Sequence, residues 1–297
     1  MNLVKKIDIH AHITRTLGPP SAKGTNHTLP HQLCEMYDKL GVEKGNLLPL
    51  VSPEITEMST NQDVCEVVNK YPDRFSWFCN IDPRAYRNSR KEIFDYLLNY
   101  YKALGAKGVG EVTANLYFDD PRVYALFAAC ERNHMPVTFH IGSAAGDYGL
   151  IDDFGLPRLE QALKDFPNLQ FLGHSQRFWS HISGDITAET FDGYPKGPVT
   201  EGGRVVELMR KYPNLNGDLS AGSGFNAISR DPEFGYAFLE EFQDRLFYGI
   251  DICCPENIES RMVKFAAYLD DAALNGKISE AAYLKISREN ALKLLGE

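Results

Sequence analysis

The stretch Ile7-Asp8-Ile9-His10-Ala11-His12 alternates apolar and polar side chains and ends in two histidines two residues apart. Side chains alternate across a β-strand, so this pattern predicts a strand with Asp8, His10 and His12 on one face and the aliphatic residues on the other. The two imidazoles would start about 6.6 Å apart along the strand, close enough to reach one metal ion. We expect Asp8, deeper on that face, to hydrogen-bond to an imidazole N–H. Because an isolated His-Xaa-His also occurs without metal, the interpretation depends on the rest of the chain.

Short apolar runs alternate with amphipathic segments along the whole chain, as in successive β/α units. After the first strand, further strands are predicted over residues 46–51, 75–81, 106–112, 137–141, 169–174, 215–219 and 246–251. Helices are predicted over 31–40, from the cap at 60–63 to a stop at Pro72, and over 89–104, 120–134, 157–166, 205–212, 233–242, 258–274 and 279–294. Crossovers of this length specify parallel pairing, so eight strands predict an α/β fold of the (β/α)8 TIM-barrel type. A doubly wound open sheet is the rival fold, but no Gly-rich phosphate-binding turn follows an early strand.

The length of 297 residues fits one barrel domain, which we predict over residues 1–297. A hydrophobic share of 43% and an aromatic share of 11% indicate a globular protein with a large core. Ser175–Gly203 departs from the repeating pattern and predicts a long loop between the sixth strand and the helix that follows it. Loops of that length in compact domains are usually functional or disordered.

The formal charge of −9 argues against nucleic acid or an anionic membrane as the main partner. We therefore expect a small-molecule substrate or another protein, including a possible homo-oligomer. No apolar run is long enough to span a membrane, and the first six residues leave no room for a secretory leader before the first strand. Six scattered cysteines without a Cys-Xaa-Xaa-Cys spacing favour reduced thiols, so we expect a cytoplasmic protein.

Four further metal-ligand side chains stand at predicted strand ends: Glu111 on the fourth strand, His140 on the fifth, His174 on the sixth and Asp251 on the eighth. In a barrel these ends open on the face where active sites lie. Each residue has a plainer reading. Glu111 could be a rim carboxylate, His140 a core histidine, His174 a loop histidine and Asp251 a helix N-cap. Together with the first strand, however, ligands from five strand ends predict one shared site.

The chain resembles the amidohydrolase superfamily over nearly its whole length, and most closely its amidohydrolase-2 branch of hydrolases and decarboxylases. The motifs that carry the resemblance are Ile7–His12, Gly108-Val109-Gly110-Glu111, Thr138-Phe139-His140, Leu172-Gly173-His174, Tyr248-Gly249-Ile250-Asp251 and Asn290-Ala291-Leu292-Lys293-Leu294-Leu295. The resemblance implies a metal-dependent barrel enzyme in which His10, His12, His140 and Asp251 match the usual ligands. His174 matches a histidine that binds a second metal or acts in acid/base catalysis.

Two departures from the family pattern concern the number of metal ions. Many members of the branch have no carboxylate where Glu111 stands, and others bridge two ions with a carbamylated lysine. Lys107 shares the inward parity of Glu111 but lies four residues deeper, so Glu111 is the preferred bridging ligand. We expect one or two ions per chain. The mixture of imidazole and carboxylate suits Zn²⁺, and also Mn²⁺ or Fe²⁺.

The resulting hypothesis is a metal-dependent hydrolase of an amide, ester or lactone bond in a small, carboxylated substrate. It would use a metal-activated water, with Asp251 as the general base and His174 polarising the carbonyl. The alternative is a non-oxidative decarboxylase that uses the same ion and a proton from His174 or Asp251. A third possibility is a binding protein without catalytic activity, which the complete set of ligands disfavours.

The remaining candidates concern substrate binding. Arg177 could anchor a substrate carboxylate through its planar guanidinium, or be a solvated loop residue. Trp179 and Tyr194 could line a pocket or only secure their loop. Cys253 and Cys254 are close enough to Asp251 to touch a substrate, although cysteines at such positions more often only pack.

Overall fold

The computed structural model describes residues 2–55, 58–85, 92–144 and 146–297. Within these residues the strands are β1 (Lys6–Ala11), β2 (Val42–Leu47), β3 (Phe75–Trp77), β4 (Val109–Val112), β5 (Val137–Gly142), β6 (Leu150–Ile151), β7 (Phe171–His174), β8 (Leu215–Asp218) and β9 (Leu246–Phe247). Every ladder between them is parallel. The predicted parallel α/β architecture is therefore confirmed.

The strands form two sheets whose edges meet. One has the order β1-β2-β3 and the other β4-β5-β7-β8-β9, with the short β6 attached to β5. Single parallel bridges join the sheets, between Cys79 and Val109 on one side and between Ala11 and Ile252 on the other. The backbone N–H of Ile9 also donates to the carbonyl of Tyr248. Eight strands thus surround a common axis as a TIM barrel, with β6 outside the ring.

The α-helices pack around this ring. They are α1 (Pro30–Leu40), α2 (Asn61–Lys70), α3 (Glu92–Ala103), α4 (Pro121–Arg132), α5 (Pro157–Asp165), α6 (Gln176–Ser180), α7 (Arg204–Lys211), α8 (Ala221–Ser229), α9 (Pro232–Glu241), α10 (Phe265–Leu274), α11 (Glu280–Leu284) and α12 (Asn290–Leu295). A π-helical turn, Lys285–Glu289, joins α11 to α12. The helix predicted over 279–294 is therefore present as one interrupted helix.

Several boundaries differ from the sequence-based expectations. The second strand starts at Val42 instead of residue 46, and the last barrel strand ends at Phe247 instead of residue 251. The first residues of the helix predicted over 89–104, from Ser89 on, lie outside the described residues. The start of the helix predicted over 258–274 forms two 3₁₀ turns, Pro255–Glu259 and Arg261–Lys264.

Three short elements were not predicted. α8 is rich in small residues and buried along most of its length, so it lacks the polar face that marks an amphipathic helix. β6 has only two residues. The segment predicted as a long loop, 175–203, starts with α6 and then has neither helix nor strand up to residue 203.

A register shift in β1 changes which side chains face the barrel interior. The β1–β2 ladder shifts between Asp8 and Ala11. Ile7 and Ile9 pack in a small cluster with Leu172 and Phe247. Ala11 packs instead in the large cluster between barrel and helices. The simple alternation expected for the first strand is therefore wrong, because a bulge lies between Asp8 and Ala11.

Asp8 lies at this bulge, and its carboxylate hydrogen-bonds to backbone groups and to Tyr37 instead of the expected imidazole N–H. Its Oδ1 accepts hydrogen bonds from the backbone N–H groups of His10 and Ile250, at 3.0 and 2.9 Å. Its Oδ2 accepts from the Tyr37 hydroxyl of α1 at 2.8 Å. Burial raises the pKa of Asp8 to about 7. The carboxyl group thus satisfies backbone donors that the irregular β1–β9 junction leaves unpaired.

The last helix crosses the end of the barrel where the strands begin. Asn290 donates its side-chain amide to the carbonyl of Leu246, at the start of β9, at 2.8 Å. Ala291 and Leu295 pack in the small cluster that contains Ile7 and Ile9. This end of the barrel is therefore filled, so a site at the strand ends is reached from the opposite face.

Among the described residues, no helix is both long enough and apolar enough to cross a bilayer. All six cysteines are unpaired.

Gly45 on β2 provides a test of the packing around Asp8. A Cβ atom there would lie 2.2 Å from the hydroxyl oxygen of Tyr37, whose ring is fully buried. Gly45→Ala should therefore push Tyr37 away from Asp8 and lower the free energy of unfolding by about 1–3 kcal/mol. Urea unfolding measures this, with Gly193→Ala as control, because a Cβ at Gly193 meets no atom within 4 Å. Equal stability of the two variants would contradict the proposed packing.

Candidate metal centre

All six predicted metal ligands meet at the carboxyl ends of the barrel strands. The side chains that come together are those of His10, His12, Glu111, His140, His174 and Asp251, whose ligand atoms form overlapping groups with separations of at most 4.8 Å. They come from β1 and the residue that follows it, from β4, β5 and β7, and from the segment after β9. Parallel strands bring their carboxyl ends to one face, which is why residues so distant in sequence become neighbours.

Hydrogen bonds on the far side of the rings orient His10 and His12. His10 Nδ1 lies 2.6 Å from Asp218 Oδ2, and His12 Nδ1 lies 2.8 Å from the carbonyl oxygen of Leu48. Both partners accept hydrogen bonds, so each Nδ1 carries a proton and each neutral ring has its lone pair on Nε2. The two Nε2 atoms face each other at 3.0 Å. At this distance the two Nε2 atoms can share a proton, or both can bind one cation.

Glu111 extends its two carboxylate oxygens toward different histidine pairs. Oε2 lies 3.7 Å from His10 Nε2 and 3.5 Å from His12 Nε2. Oε1 lies 2.8 Å from His140 Nδ1 and 3.6 Å from His174 Nε2. The carboxylate therefore stands between two half-sites and can serve both.

Asp251 is the most accessible of the six side chains. Its side chain is 19% exposed, against 6% or less for the other five. Oδ1 lies 3.5 Å from His12 Nε2, and Oδ2 lies 3.8 Å from His174 Nε2. The residue has a φ of 67°, in the left-handed region that L-residues rarely adopt. Backbone conformations of this kind are concentrated at functional sites.

The charges of the cluster are balanced in part by protons on its histidines. Burial lowers the pKa of His10, but the adjacent Asp218 carboxylate outweighs burial and the net pKa lies well above its usual value. Burial likewise opposes protonation of His12, yet Asp251 and Glu111 raise its pKa to about 9. Burial would raise the pKa of Glu111, but bonds from His10, His12 and His140 hold it well below the usual range. This set of buried carboxylates therefore requires positive charge, which a divalent ion can supply in place of the protons.

His174 differs from these histidines. Burial and the neighbouring His10 lower its pKa to about 4, so its ring is neutral near pH 7. Its Nδ1 lies 3.0 Å from the hydroxyl oxygen of Ser220. A neutral ring keeps a lone pair for an ion or for a proton from a substrate.

The separations in the cluster fit a bound ion. Two ligand atoms held about 2.0–2.1 Å from a tetrahedral zinc ion lie roughly 3.3–3.4 Å apart. The contacts of His10 and His12 with each other, with Glu111 and with Asp251 span 3.0 to 3.7 Å. Nitrogen and oxygen ligands of this kind suit divalent transition ions. The residues present can therefore hold such an ion with only small adjustments.

Two residues that support the ligands were missed at the sequence level. Asp218 ends β8 and binds His10, while the Trp179 indole N–H donates to its carbonyl oxygen at 2.9 Å. Asn80 follows β3, and its amide donates to the carbonyl oxygen of Glu111 at 2.6 Å. Asp218 could have been found, because it too is a carboxylate at a predicted strand end. Asn80 gave no comparable signal, since the backbone it binds is close only in the folded chain.

The substrate-binding candidates have mixed outcomes. Arg177 already has a partner, since its Nε donates to Asp192 Oδ1 at 3.0 Å and its guanidinium lies over the Phe191 ring. Its role as a carboxylate anchor stays a prediction. Tyr194 is exposed. Tyr148 was not predicted as a site residue, but its ring centroid lies 4.4 Å from that of His140. Lys107 is exposed, in keeping with the preference for Glu111.

Comparisons with known proteins agree with this architecture. A sequence model of the family described as amidohydrolase matches residues 7–296. No curated protein sequence matches the chain. Among solved structures, an uncharacterised TIM-barrel protein from Bordetella bronchiseptica is 19% identical, with a TM-score of 0.63 and 99% of both chains covered.

Two further structures represent different reactions. A 5-carboxyvanillate decarboxylase from Novosphingobium aromaticivorans, complexed with manganese and 4-hydroxy-3-methoxy-5-nitrobenzoic acid, is 18% identical, with a TM-score of 0.63 and 99% of this chain and 96% of that chain covered. A probable 2-pyrone-4,6-dicarboxylic acid hydrolase from Acinetobacter baumannii, with citric acid bound, is 16% identical, with a TM-score of 0.57 and 99% and 100% covered. At these identities the likeness establishes the fold alone.

Removing the Asp218 side chain tests whether metal binding depends on the orientation of His10, because Asp218 is not one of the six predicted ligands. Asp218→Ala removes the acceptor that fixes the His10 tautomer, so the affinity for a divalent ion should fall about 10–100-fold. Titration of the metal-free protein with Zn²⁺ or Mn²⁺ measures this. Asp73→Ala, which removes an exposed carboxylate outside the cluster, is the control. Unchanged affinity in Asp218→Ala would mean that His10 does not depend on this bond.

Proposed function

Because the chain belongs to the amidohydrolase family, whose members are metal-dependent enzymes, we propose that it is a hydrolase of an amide, ester or lactone bond in a small substrate. The observation that carries this proposal is Glu111, whose two oxygens face separate histidine pairs. A carboxylate in this position can bridge two ions, and paired ions are a recurrent device of hydrolytic sites. His10 and His12 would hold one ion with Asp251, and His140 and His174 the other.

The ions would supply Lewis acidity, which polarises the scissile carbonyl and lowers the pKa of water to about 7 in the case of zinc. The protein must then move protons and align the substrate. Asp251 suits the first task, because its carboxylate is the accessible one and lies next to both histidine pairs. It can take a proton from water and return it to the leaving group.

His174 suits a different task. With its pKa lowered to about 4, the ring is neutral and cannot serve as a strong acid near pH 7. Its neutral ring can hold an ion through Nε2. Ser220, on its Nδ1, keeps the ring in one orientation.

The substrate itself would lie against the exposed side of Asp251. The Tyr148 ring is tilted by 45° against that of His140 and the residue is 38% exposed, so its ring is available as a wall of the binding site. Arg177 could contribute only by exchanging Asp192 for a substrate carboxylate, because its guanidinium is already paired. A small carboxylated molecule remains the proposed substrate class, and zinc, manganese or iron(II) the proposed ion.

Non-oxidative decarboxylation is the second candidate, supported by the likeness to a manganese-containing decarboxylase. In that reaction the carbon that loses carbon dioxide must receive a proton, which Asp251 would first take from water and then deliver. Product analysis separates the two reactions, since the lyase releases carbon dioxide and the hydrolase incorporates the elements of water. A screen of small amides, esters, lactones and aromatic acids with the metal-loaded protein is the direct test.

The bridging role of Glu111 predicts two ions per chain. Glu111→Gln keeps the size of the side chain but removes its charge, so the variant should retain only one ion. Elemental analysis after supplementation with Zn²⁺ or Mn²⁺ measures the content, with the exposed Glu35→Gln as control. Identical content in the Glu111→Gln variant and the natural protein would make Glu111 a rim residue. Metal that stays substoichiometric in the natural protein would contradict the metal centre itself.

The proposed role of Asp251 as the general base predicts a loss of catalytic rate without a loss of metal. Asp251→Asn retains shape and one oxygen ligand but loses basicity, so it should hold metal while kcat falls about 10²–10⁴-fold. The control is Asp73→Asn, an exposed position outside the cluster. A near-normal kcat with full metal content would contradict the role of Asp251 as the general base.

A further inference from the structure

Cys253 places a thiol beside the metal centre, two residues after Asp251. Its Sγ lies 3.3 Å from Asp251 Oδ1. Its sulfur, an imidazole nitrogen of His12 and a carboxylate oxygen of Asp251 all lie within 4.8 Å of one another. Three types of metal ligand therefore converge at the accessible edge of the cluster.

The backbone of Cys253 is held on both sides. Its N–H donates to Asn257 Oδ1 at 2.8 Å, and its carbonyl oxygen accepts from the N–H of Thr28 at 2.9 Å. The preceding residue, Ile252, is buried and bridges to Ala11 of β1. These contacts fix the direction of the Cys253 side chain, so the tertiary structure itself holds the thiol close to Asp251.

The spacing is compatible with one ion shared by the two residues. A zinc ion binds sulfur at about 2.3 Å and oxygen at about 2.0–2.2 Å, which places the two ligand atoms roughly 3.5–3.7 Å apart in a tetrahedral site. The observed 3.3 Å is close to that range. Thiolate is a soft ligand that favours zinc and related ions, whereas manganese prefers oxygen ligands.

We propose that Cys253 is a ligand of the metal centre, sharing an ion with His12 and Asp251, and that it makes the site selective for thiophilic ions over manganese. On binding, the thiol proton leaves to solvent and the sulfur–metal bond forms in its place. The inference rests on the proposed function only in that a metal centre must exist.

The competing explanation is that the thiol merely donates a hydrogen bond to Asp251. Serine separates the two possibilities, because a hydroxyl can still donate to the carboxylate but is a hard and weakly binding ligand. Cys254 provides the matched control, since it is adjacent and half-buried but belongs to none of the ligand groups formed by the described residues.

The test is Co²⁺ substitution of the metal-free protein, followed by absorption spectroscopy and elemental analysis. The natural protein and Cys254→Ser should bind Co²⁺ and show a near-ultraviolet sulfur-to-cobalt charge-transfer band. Cys253→Ser should bind the ion and lack the band. In an equimolar mixture of Zn²⁺ and Mn²⁺, the ratio of bound zinc to manganese should fall in Cys253→Ser and stay unchanged in Cys254→Ser.

Each other outcome is decisive. Stoichiometric Co²⁺ without the band in the natural protein would overturn the ligand role while leaving the metal centre intact. A band that persists in Cys253→Ser would assign it to another thiol and overturn the inference as well. If the natural protein binds no Co²⁺, Zn²⁺ or Mn²⁺ at all, the proposed function itself fails, and this inference with it.

Discussion

The whole site depends on carboxylates that are buried at one end of the barrel and need compensating positive charge. Glu111 and Asp218 are almost entirely shielded from water, and Asp251 is shielded for the most part. Burying such groups without compensation is costly. Histidines surround them, and the carboxylates raise the pKa of His10 and His12 in return. A divalent ion can supply the same positive charge, and the imidazole lone pairs then bind the ion instead of protons.

Residues that are not themselves metal ligands position the histidines that surround these carboxylates. Asp218 and the Leu48 carbonyl each accept from an imidazole N–H, and this fixes the lone pairs toward the centre. The bulge in β1 turns His10 and His12 inward, and Asp8 satisfies the backbone donors that the bulge exposes. The precision of the site therefore depends on hydrogen bonds behind the rings as much as on the rings themselves.

The same scaffold is compatible with more than one reaction, because the ions and the proton carrier are common to hydrolysis and decarboxylation. The difference lies in what the accessible side of Asp251 meets: water next to a carbonyl, or a carbon atom that must receive a proton. Residues beyond the ligands decide this. Tyr148 on His140 and Cys253 beside Asp251 are the features of this chain that give its site an individual character.

The sequence by itself determined the order of β and α units, the barrel and all six candidate ligands, because strand-end position is a local property that periodicity reveals. It also left a visible signal for Asp218, a carboxylate at a strand end. Tertiary structure alone decided the bulge in β1, the bonding of Asp8 to Tyr37 and backbone groups, and the pairing of Arg177 with Asp192. These depend on which backbone groups lack partners and which charges become neighbours once distant strands and loops pack together. Such contacts cannot be predicted from a local pattern of side chains.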